Sequence, residues 1–397
     1  MGSPVNAERH FKMQSTCQRT RARCGALTTL HGNVQTPVFL PVGSQATVRA
    51  LTPDDLVSIG FEIILCNNYH LYLRPGIDII KKAGGLHSFM GWSKPILTDS
   101  GGYQIFSLSS FRKITSDGIT FRSHIDGSEH HVTPEYAVEL QEQLGSDIAM
   151  ALDVCPISTE RKEKLMDAVR LTHEWAKRCV TARSCQGQLL FGIIQGGIHP
   201  ELRKMSSEQI TELDFDGYAI GGLSVGESKE AMWSAVEATV EYMPTDKPRY
   251  LMGVGSPEDL LEGIARGIDI FDSALPTRVA RNGALYTRTG RINIKKSKYQ
   301  TDFNAIEEHC GCYTCNNFSA AYMHHLFKCE ELLAYRLATI HNLHFMNSLV
   351  LEIRQSIVED RFESYKMEFI RIYQTTDETN RMEQKNRYLN KRHAEDG

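Results

Sequence analysis

The stretch LLFGIIQGG, residues 189–197, is a short apolar run that ends in a polar residue and two glycines. It has the length of a β-strand and lacks polar alternation, as expected of a strand buried on both faces of a parallel sheet. Seven further runs share this design: TPVFLPVG (36–43), FEIILCNN (61–68), PILTDSGG (95–102), IAMALDVC (148–155), GYAIGGLS (217–224), YLMGVGS (250–256) and IDIFDSA (268–274). Together the runs predict eight buried strands.

Amphipathic segments with clear helix starts lie between most of these runs. Thr52, Thr133 and Ser256 each precede a proline, which is the pattern of an N-cap followed by the first helical residue. Eight strands that alternate with helices predict an α/β protein, a (β/α)8 TIM barrel. GITFRSHIDGSEHHVT (118–133) alternates around an Asp-Gly turn and predicts an inserted β-hairpin. After the eighth strand, one long helix is predicted over roughly 319–360.

The composition is that of a globular protein with a sizeable core. The chain has 397 residues, 41% hydrophobic and 23% charged, with a net charge of −4, which argues against indiscriminate coating of nucleic acid. The ten cysteines lack the spacing of a disulfide framework, and no signal peptide is recognised, so a cytoplasmic location is expected. No apolar run reaches the length of about 18 residues that a transmembrane helix needs, and no membrane partner is expected.

Polar residues cluster at the predicted carboxyl ends of the strands, which is where TIM barrels carry their active sites. They are Asn67, Asn68, Asp99, Ser100, Asp153, Gln195, Glu227 and Asp272. A single aspartate there could cap the next helix, but three from three strands favour a shared site. Carboxylates that converge without a metal suit glycosyl chemistry, in which one is the nucleophile and another the general acid or base.

Glycine pairs follow several of the strands, in DSGG, IIQGG and AIGGLS. Glycine lets backbone groups approach a flat ligand, although the same pairs also suit tight turns between strand and helix. Asp153 and Gln195 could bind the polar edge of a heterocycle, and Tyr103 could stack on its face.

A basic stretch, RVARNGALYTRTGRINIKKSK (278–298), follows the eighth strand and contains seven basic residues and no acid. It fits either a solvated surface or a local nucleic-acid surface.

The cysteine cluster HCGCYTC (309–315) lies between the last strand and the last helix. Its Cys-x-Cys-x2-Cys spacing suits a tetrahedral Zn2+ site, whereas three free thiols are the plainer alternative. The spacing leaves the fourth ligand open among Cys329, His324, His325, His341 and His344. Four protein ligands would leave no position for water, so the sequence predicts one structural zinc per chain.

The predicted organisation has four parts. Residues 15–285 and 318–373 form the catalytic barrel, and residues 286–345 form a zinc-binding subdomain that overlaps the start of the last helix. Residues 1–14 are expected to be a flexible N-terminus and residues 374–397 a charged tail.

Over about residues 15–360 the chain resembles the tRNA-guanine transglycosylases of bacterial type, the queuine tRNA-ribosyltransferase family. The resemblance rests on LTDSGGYQIFSL, GSDIAMALDVC, FGIIQGG, YAIGGLSVGE, YLMGVGSPEDL, FDSALPTRVARNG and the CxCxxC cluster. It implies a barrel with an inserted zinc subdomain and a homodimer. It also implies exchange of the wobble guanine of G-U-N tRNAs (Asp, Asn, His and Tyr types) for 7-aminomethyl-7-deazaguanine (preQ1), through a covalent tRNA-Asp intermediate in queuosine biosynthesis.

The resemblance also implies roles for single residues. Asp272 would be the nucleophile and Asp99 the general acid and base. The base would be bound by Tyr103, Asp153, Gln195, Gly222 and the Leu223 carbonyl, the last braced by Glu227 and facing the 7-substituent. RNA would contact Arg278, Arg281, Lys295 and Lys296, and zinc would be held by Cys310, Cys312, Cys315 and His341.

Three positions depart from the family pattern. Val154 replaces a glutamate that bacterial members usually carry after the pocket aspartate, which makes direct insertion of queuine the alternative reaction. Val225 stands where queuine-using eukaryotic members carry glycine and favours the smaller preQ1, and Ser273 replaces a common cysteine.

The RNA-binding domains of archaeal members are not expected. A barrel glycosidase is the remote rival, but it would need more aromatic platforms than three tryptophans offer, and a zinc hydrolase would need an open metal position.

Overall fold

The computed structural model describes residues 10–109 and 111–375. The chain divides into two compact units, the first comprising residues up to Thr277 together with Met346–Phe362, the second comprising Arg278–Phe345 and the chain from Glu363. The strands of the first unit are β1 (Phe11–Thr16), β2 (Arg23–Thr29), β3 (Gly32–Thr36), β4 (Val38–Gly43), β5 (Ile64–Asn67), β6 (Ile96–Asp99), β7 (Arg112–Ile114), β8 (Ile119–Arg122), β9 (Glu129–Val132), β10 (Ile148–Met150), β11 (Leu189–Ile194), β12 (Gly217–Ile220), β13 (Arg249–Leu251) and β14 (Ile270–Ser273).

The predicted TIM barrel is confirmed. Strands β4, β5, β6 and β10 to β14 close into one barrel, and every pairing between neighbours in it is parallel. Each of the eight apolar runs of the sequence supplies one of these strands. Their inward side chains, including Leu40, Leu65, Leu97, Met150 and Phe191, form a single buried cluster, so the barrel is a filled core and not a pore.

Helices alternate with the barrel strands, as the sequence predicts. They are α1 (Pro53–Ile59), α2 (Asn68–Leu73), α3 (Ile77–Lys82), α4 (Leu86–Met90), α5 (Gly102–Leu108), α6 (Pro134–Leu144), α7 (Lys162–Ala182), α8 (Pro200–Thr211), α9 (Lys229–Val240) and α10 (Pro257–Ala265). The three predicted N-caps are confirmed, since Thr52, Thr133 and Ser256 each accept a hydrogen bond from a backbone N–H of the first turn. Such a cap contributes about 1 kcal/mol to helix stability.

The N-terminal residues form more structure than the sequence suggested. Residues 11–14 were expected to be flexible, but they belong to β1, which pairs with β2 in an antiparallel sheet completed by β3. The reason is Phe11, which is 4% exposed and packs with Leu27 and Val34 in the barrel's core cluster. The remaining residues of the predicted flexible segment, 1–9, lie outside the described part of the chain.

The predicted hairpin insertion is present and has one strand more than expected. Strands β8 and β9 pair antiparallel, with Ile119 opposite Val132, and β7 adds to the other edge of β8. Strand β7 has three residues, two of them exposed and basic. This is too short and too polar to produce a periodic signal in the sequence.

Helix α11 (Leu275–Arg281) leads into the second unit, which contains two short strands and further helices. These are β15 (Ala284–Thr287), β16 (Gly290–Asn293), α12 (Tyr313–Asn317), α13 (Ala320–Lys328), α14 (Leu332–Val358) and α15 (Phe362–Ile372). Helix α14 belongs to the second unit only up to Phe345, since its later residues are part of the first unit. The core of the second unit contains Leu285, Met323, Phe327 and Leu337. The unit boundaries come from compactness alone, and the domain limits inferred from the sequence stay predictions.

The single helix predicted over 319–360 is wrong, because the structure contains two helices there, α13 and α14. Glu330 adopts a left-handed conformation with φ of 57°, and the Glu331 N–H bonds back to the Leu326 carbonyl. This is a helix C-cap, which apolar periodicity on both sides conceals. In the described ranges, no helix combines the length and apolarity needed to cross a bilayer. Of the predicted charged tail, residues beyond 375 are outside those ranges.

Candidate active site

The polar residues predicted at the strand ends lie together at the carboxyl end of the barrel. Asp99 is the last residue of β6, Asp272 is the last but one of β14, and Gln195 directly follows β11. Asp99 and Gln195 are almost completely buried, whereas Asp272 keeps some solvent exposure. Asp153, three residues beyond β10, is 5% exposed. Buried carboxyl groups without a bonded cation are costly, so their environments decide what they can do.

Asp99 is held by two asparagines. Its Oδ2 accepts a hydrogen bond from the Asn67 side-chain amide and its Oδ1 accepts one from the Asn68 backbone N–H at 3.0 Å. Burial raises the pKa of Asp99 to about 7, against the lowering effect of these hydrogen bonds, and the charge of Asp272 adds to the rise. A carboxyl group with this pKa can both donate and accept a proton near neutral pH.

Asp272 is held by Tyr250 and a backbone amide. The Tyr250 hydroxyl donates to Oδ1 at 2.6 Å and the Gly253 N–H donates to the same oxygen at 2.7 Å. Burial raises the pKa of Asp272, and both hydrogen bonds oppose this because they favour the ionised form. Burial and the Asp272 charge also raise the pKa of Tyr250 well above its ordinary value, so the phenol stays a donor.

Asp153 and Gln195 form one polar edge. The Gln195 amide donates to Asp153 Oδ2 at 2.6 Å and the Ser100 hydroxyl donates to Oδ1 at 3.3 Å. Burial raises the pKa of Asp153 to about 6 in spite of both hydrogen bonds. Two glycines make room for this edge, because a Cβ at Gly102 would lie 2.9 Å from the Asp153 carbonyl oxygen and one at Gly222 would lie 2.3 Å from Gln195 Oε1.

The other predicted site residues border this edge. Tyr103, in α5 beside Gly102, is 46% exposed. Leu223 is buried and follows Gly222. Glu227 accepts hydrogen bonds from the Ser224 and Val225 N–H groups, the latter at 3.2 Å. The loop that contains Leu223 is thereby tied to Glu227.

Several residues that hold these groups were not identified from the sequence. Tyr250 resembles one more apolar residue of a buried strand, and only its neighbour Asp272 shows that its hydroxyl is used. Asn67 and Asn68 were noted at a strand end but received no role. Ser158, whose hydroxyl donates to Glu227, lies in a loop without any pattern. Nothing in the sequence distinguishes these residues from ordinary structural positions.

The predicted RNA-contacting residues all lie in the second unit. Arg278 and Arg281 are in α11, Arg278 exposed and Arg281 half-buried. Lys295 and Lys296 follow β16 and are both exposed, and the Lys295 ammonium lies 5.4 Å from the centre of the Phe327 ring. The basic stretch thus presents at least three exposed cations.

Cys310, Cys312, Cys315 and His341 form a cluster in the second unit that could hold a metal ion. His341 Nδ1 lies 3.7, 3.6 and 3.3 Å from the three sulfur atoms, in that order. Tetrahedral ligands at ordinary zinc distances would place sulfur and nitrogen about 3.6 Å apart. His341 Nε2 also lies 2.7 Å from the Tyr286 carbonyl, the type of contact that orients metal-binding imidazoles. Three thiols and one imidazole therefore fit zinc.

A second group that satisfies the same distance test, His31, His87 and Asp147, lies at the opposite end of the barrel. Its two imidazole rings are stacked, with centres 3.6 Å apart and planes inclined by 18°. Lone pairs in nearly parallel planes cannot converge on one ion. The Asp147 carboxylate also accepts hydrogen bonds from the His31 and Ile96 N–H groups. This group therefore joins the strands' amino ends and does not resemble a metal site.

Comparison with known proteins identifies the family of the chain. The family model described as queuine tRNA-ribosyltransferase matches residues 17–375. A queuine tRNA-ribosyltransferase of Dehalococcoides mccartyi is 56% identical over 388 residues, 98% of this chain and 99% of that protein. Proteins of the same name from Caldanaerobacter subterraneus and Moorella thermoacetica are 55% and 53% identical, over 89% and 91% of this chain and 95% and 97% of theirs. The chain belongs to the queuine tRNA-ribosyltransferase family, whose members are tRNA-guanine transglycosylases.

Proposed function

We propose that the protein exchanges the wobble guanine of G-U-N anticodons for preQ1, in tRNAs of the Asp, Asn, His and Tyr types. The observation that carries the proposal is the pair Asp99 and Asp272, one buried and one partly buried carboxyl group from different strands with different hydrogen-bond environments. Burial raises the pKa of both groups and brings that of Asp99 to about 7, whereas the Tyr250 hydroxyl and the Gly253 N–H oppose the rise at Asp272 by favouring its ionised form. That is the division of labour which a double displacement at a sugar carbon needs.

In the first displacement, Asp272 attacks C1′ of the ribose and the bond from C1′ to the guanine nitrogen breaks. The electron pair of that bond goes to the guanine, which takes a proton from Asp99. The Tyr250 hydroxyl and the Gly253 N–H favour the ionised form of Asp272 and orient its carboxylate. The product is an ester between Asp272 and the tRNA, together with free guanine.

In the second displacement, Asp99 accepts a proton from the incoming base. The base nitrogen attacks C1′ and releases Asp272 as a carboxylate. The proton balance closes, because Asp99 gains the proton that it lost in the first step. The target nucleotide has to leave the anticodon stack to reach the barrel mouth.

Base recognition is assigned to the edge formed by Asp153 and Gln195, with Gly222 beside it, and Tyr103 stacks on the ring. The Leu223 carbonyl faces the 7-substituent, in a loop that Glu227 holds. Val225 leaves less room than glycine would, which favours the small aminomethyl group of preQ1. Queuine is the alternative substrate because Val154 lacks the carboxylate usual in bacterial members.

Arg278, Arg281, Lys295 and Lys296 are proposed to contact the tRNA, since an exposed cluster of cations in an otherwise acidic protein suits phosphate binding. Cys310, Cys312, Cys315 and His341 would hold one zinc ion per chain, whose contribution is structural because all four positions are filled by protein.

A homodimer is proposed as well, and a row of ring contacts supports it. Phe318 stacks on Tyr322 at 5.3 Å, and Tyr322 on His325 at 6.5 Å, with Tyr322 39% exposed. Exposed aromatic rows are typical of protein interfaces. A cytoplasmic location is proposed in agreement with a tRNA substrate.

The experiment combines labelled bases with the variant Asp272→Asn. Wild-type protein should incorporate labelled guanine and preQ1 into a G-U-N tRNA and form a denaturant-stable adduct with tRNA. Asp272→Asn should form no adduct and exchange at least about a thousandfold more slowly. The control Asp214→Asn changes a carboxylate that is 98% exposed and should behave as wild type.

Three outcomes would contradict all or part of the proposal. Exchange by Asp272→Asn at the wild-type rate would refute the nucleophile. In a competition of free bases, preferential incorporation of queuine would replace the substrate and keep the mechanism, whereas hydrolysis of oligosaccharides without activity on tRNA would establish the glycosidase.

A further inference from the structure

The loop after β12 has a conformation that needs support from outside. Ser224 has φ of 60°, in the left-handed region that a residue with a side chain rarely adopts. Its N–H donates to Glu227, and so does that of Val225. Glu227 therefore compensates for the strained backbone next to Leu223. Any residue that holds Glu227 in place also holds the loop from Leu223 to Val225 in place.

Ser158 contacts Glu227 from the loop that follows strand β10. Its side chain is completely buried, and its hydroxyl donates to Glu227 Oε2 at 2.6 Å. Ser158 lies in the segment after Asp153, so it joins the end of β10 to the loop after β12. The same segment also packs on the end of β11, because a Cβ at Gly197 would lie 2.6 Å from the Ser158 carbonyl oxygen.

Arg203, in α8, supplies a buried positive charge to the same region. It is 0% exposed, and its guanidinium donates to the carbonyls of Gly197 and Ile194 at 2.7 and 3.1 Å. Its Nη2 atom has no hydrogen-bond partner among the described residues. Burial lowers the pKa of Arg203 to about 10, with the charge of Glu227 among the opposing effects, so the guanidinium stays charged at neutral pH.

We propose that Ser158 is a positioning residue for the proposed base-binding edge, acting through Glu227. The hydroxyl locks one orientation of the Glu227 carboxylate, and that orientation preforms the backbone from Leu223 to Val225. Ser158 touches neither Asp99 nor Asp272 in any contact seen here. It therefore controls affinity for the 7-substituent of the base and not the rate of the displacement.

The inference rests on the proposed function, because the 7-substituent is placed beside Leu223 only there. Ser158→Ala removes the hydroxyl and little else. A hydrogen bond to a charged group is among the stronger ones, and Glu227 keeps its two backbone donors, so we expect the KM for preQ1 to rise about tenfold, equivalent to about 1.4 kcal/mol. The KM for guanine, which has no 7-substituent, should change less than about twofold, as should kcat.

Two further variants separate positioning from general loosening of the fold. Ser356→Ala removes another completely buried hydroxyl, which donates to the Ile353 carbonyl at 2.7 Å, and should leave both KM values unchanged. Glu227→Gln alone and combined with Ser158→Ala forms a double-mutant cycle. If Ser158 acts through Glu227, the double variant should be no worse than Glu227→Gln.

The measurement is steady-state incorporation of labelled preQ1 and labelled guanine into one tRNA, with the melting temperature of each variant recorded. Equal rises in both KM values, a fall in kcat alone, or additive losses in the cycle would each overturn the inference. Normal kinetics of Ser158→Ala beside an active wild type would refute this inference alone. A wild-type protein that exchanges neither base would refute the proposed function together with it.

Discussion

Replacing Tyr250 with phenylalanine tests whether Asp272 is the nucleophile and how it is kept ionised. The Tyr250 ring is completely buried, and its hydroxyl donates to Asp272 Oδ1 at 2.6 Å. The substitution removes one oxygen and keeps the ring that fills the core. After it, the Gly253 N–H at 2.7 Å is the remaining donor of the pair. The substitution therefore removes one of the two hydrogen bonds that favour the ionised form of Asp272.

The expected loss follows from the strength of that hydrogen bond. A hydrogen bond to a charged group contributes about 1.5–3 kcal/mol, so without it the ionised form of Asp272 becomes rarer, and at pH values below its raised pKa the reaction should be roughly 10- to 100-fold slower. The sign of the pH effect is also fixed. The Tyr250 hydroxyl lowers the pKa of Asp272 by favouring the ionised form, so its removal raises that pKa further. The acid limb of the rate profile should move to higher pH.

The assay is single-turnover formation of the adduct between tRNA and protein, measured from acid to neutral pH. The matched control is Tyr218→Phe, which removes a hydroxyl that donates to the Leu213 carbonyl at 3.0 Å, from the neighbouring strand β12. That control should keep the wild-type profile. If Tyr250→Phe forms adduct within twofold of wild type, with the acid limb unmoved, Tyr250 does not tune the nucleophile.

Two more predictions concern the general acid and the metal cluster. Burial raises the pKa of Asp99 from 3.8 to about 7, so in this interval the folded protein holds a proton that the unfolded chain releases, and stability falls as pH rises. Asp99→Asn should therefore abolish exchange and raise the free energy of unfolding near neutral pH by up to about 4 kcal/mol. The measurement is the melting temperature, which should be higher than that of wild type and vary less with pH. An unchanged melting temperature at neutral pH would contradict this. Cys312→Ser, or treatment with a chelator, should release the metal, lower the melting temperature and expose the second unit to proteolysis. Lost exchange in a fully stable, metal-free protein would instead indicate a catalytic metal.

The barrel was predictable because its strands are buried on both faces and therefore appear in the sequence as runs of apolar residues without polar alternation. The site was predictable in part for a related reason, since strand ends in a parallel barrel meet at one mouth. This reasoning found Asp99, Asp153, Gln195 and Asp272 without knowledge of their contacts. It could not find Tyr250, because an aromatic residue in a strand is explained equally well by packing.

Other features depend on contacts that a one-dimensional pattern does not contain. The break between α13 and α14 is made by the backbone of Glu330, which has a left-handed conformation. A glutamate in the sequence does not predict such a conformation, as a glycine would. Strand β1 forms because Phe11 finds a place in a core assembled from distant residues. The fourth residue of the cysteine cluster was open among five candidates by spacing, and the structure brings His341 to the three sulfur atoms.

The aspartates at the two ends of the barrel differ in their bonded partners and, where the pKa is shifted, in the direction of that shift. At the amino ends, Asp269 forms a short bidentate pair with Arg23 and accepts the Arg249 N–H. Burial alone would raise the pKa of Asp147 there, but hydrogen bonds from His87, the Ile96 N–H and His31 hold it at about 2. At the carboxyl ends, Asp99 and Asp153 are buried and Asp272 is partly buried, and all three have raised pKa values. None of the three forms an ion pair with a cation of the described residues. Charges with bonded cations or several donors therefore close the amino end of the barrel. At the carboxyl end, the raised pKa values suit the proton transfer and nucleophilic attack proposed above, at a cost in stability that Asp99→Asn should reveal.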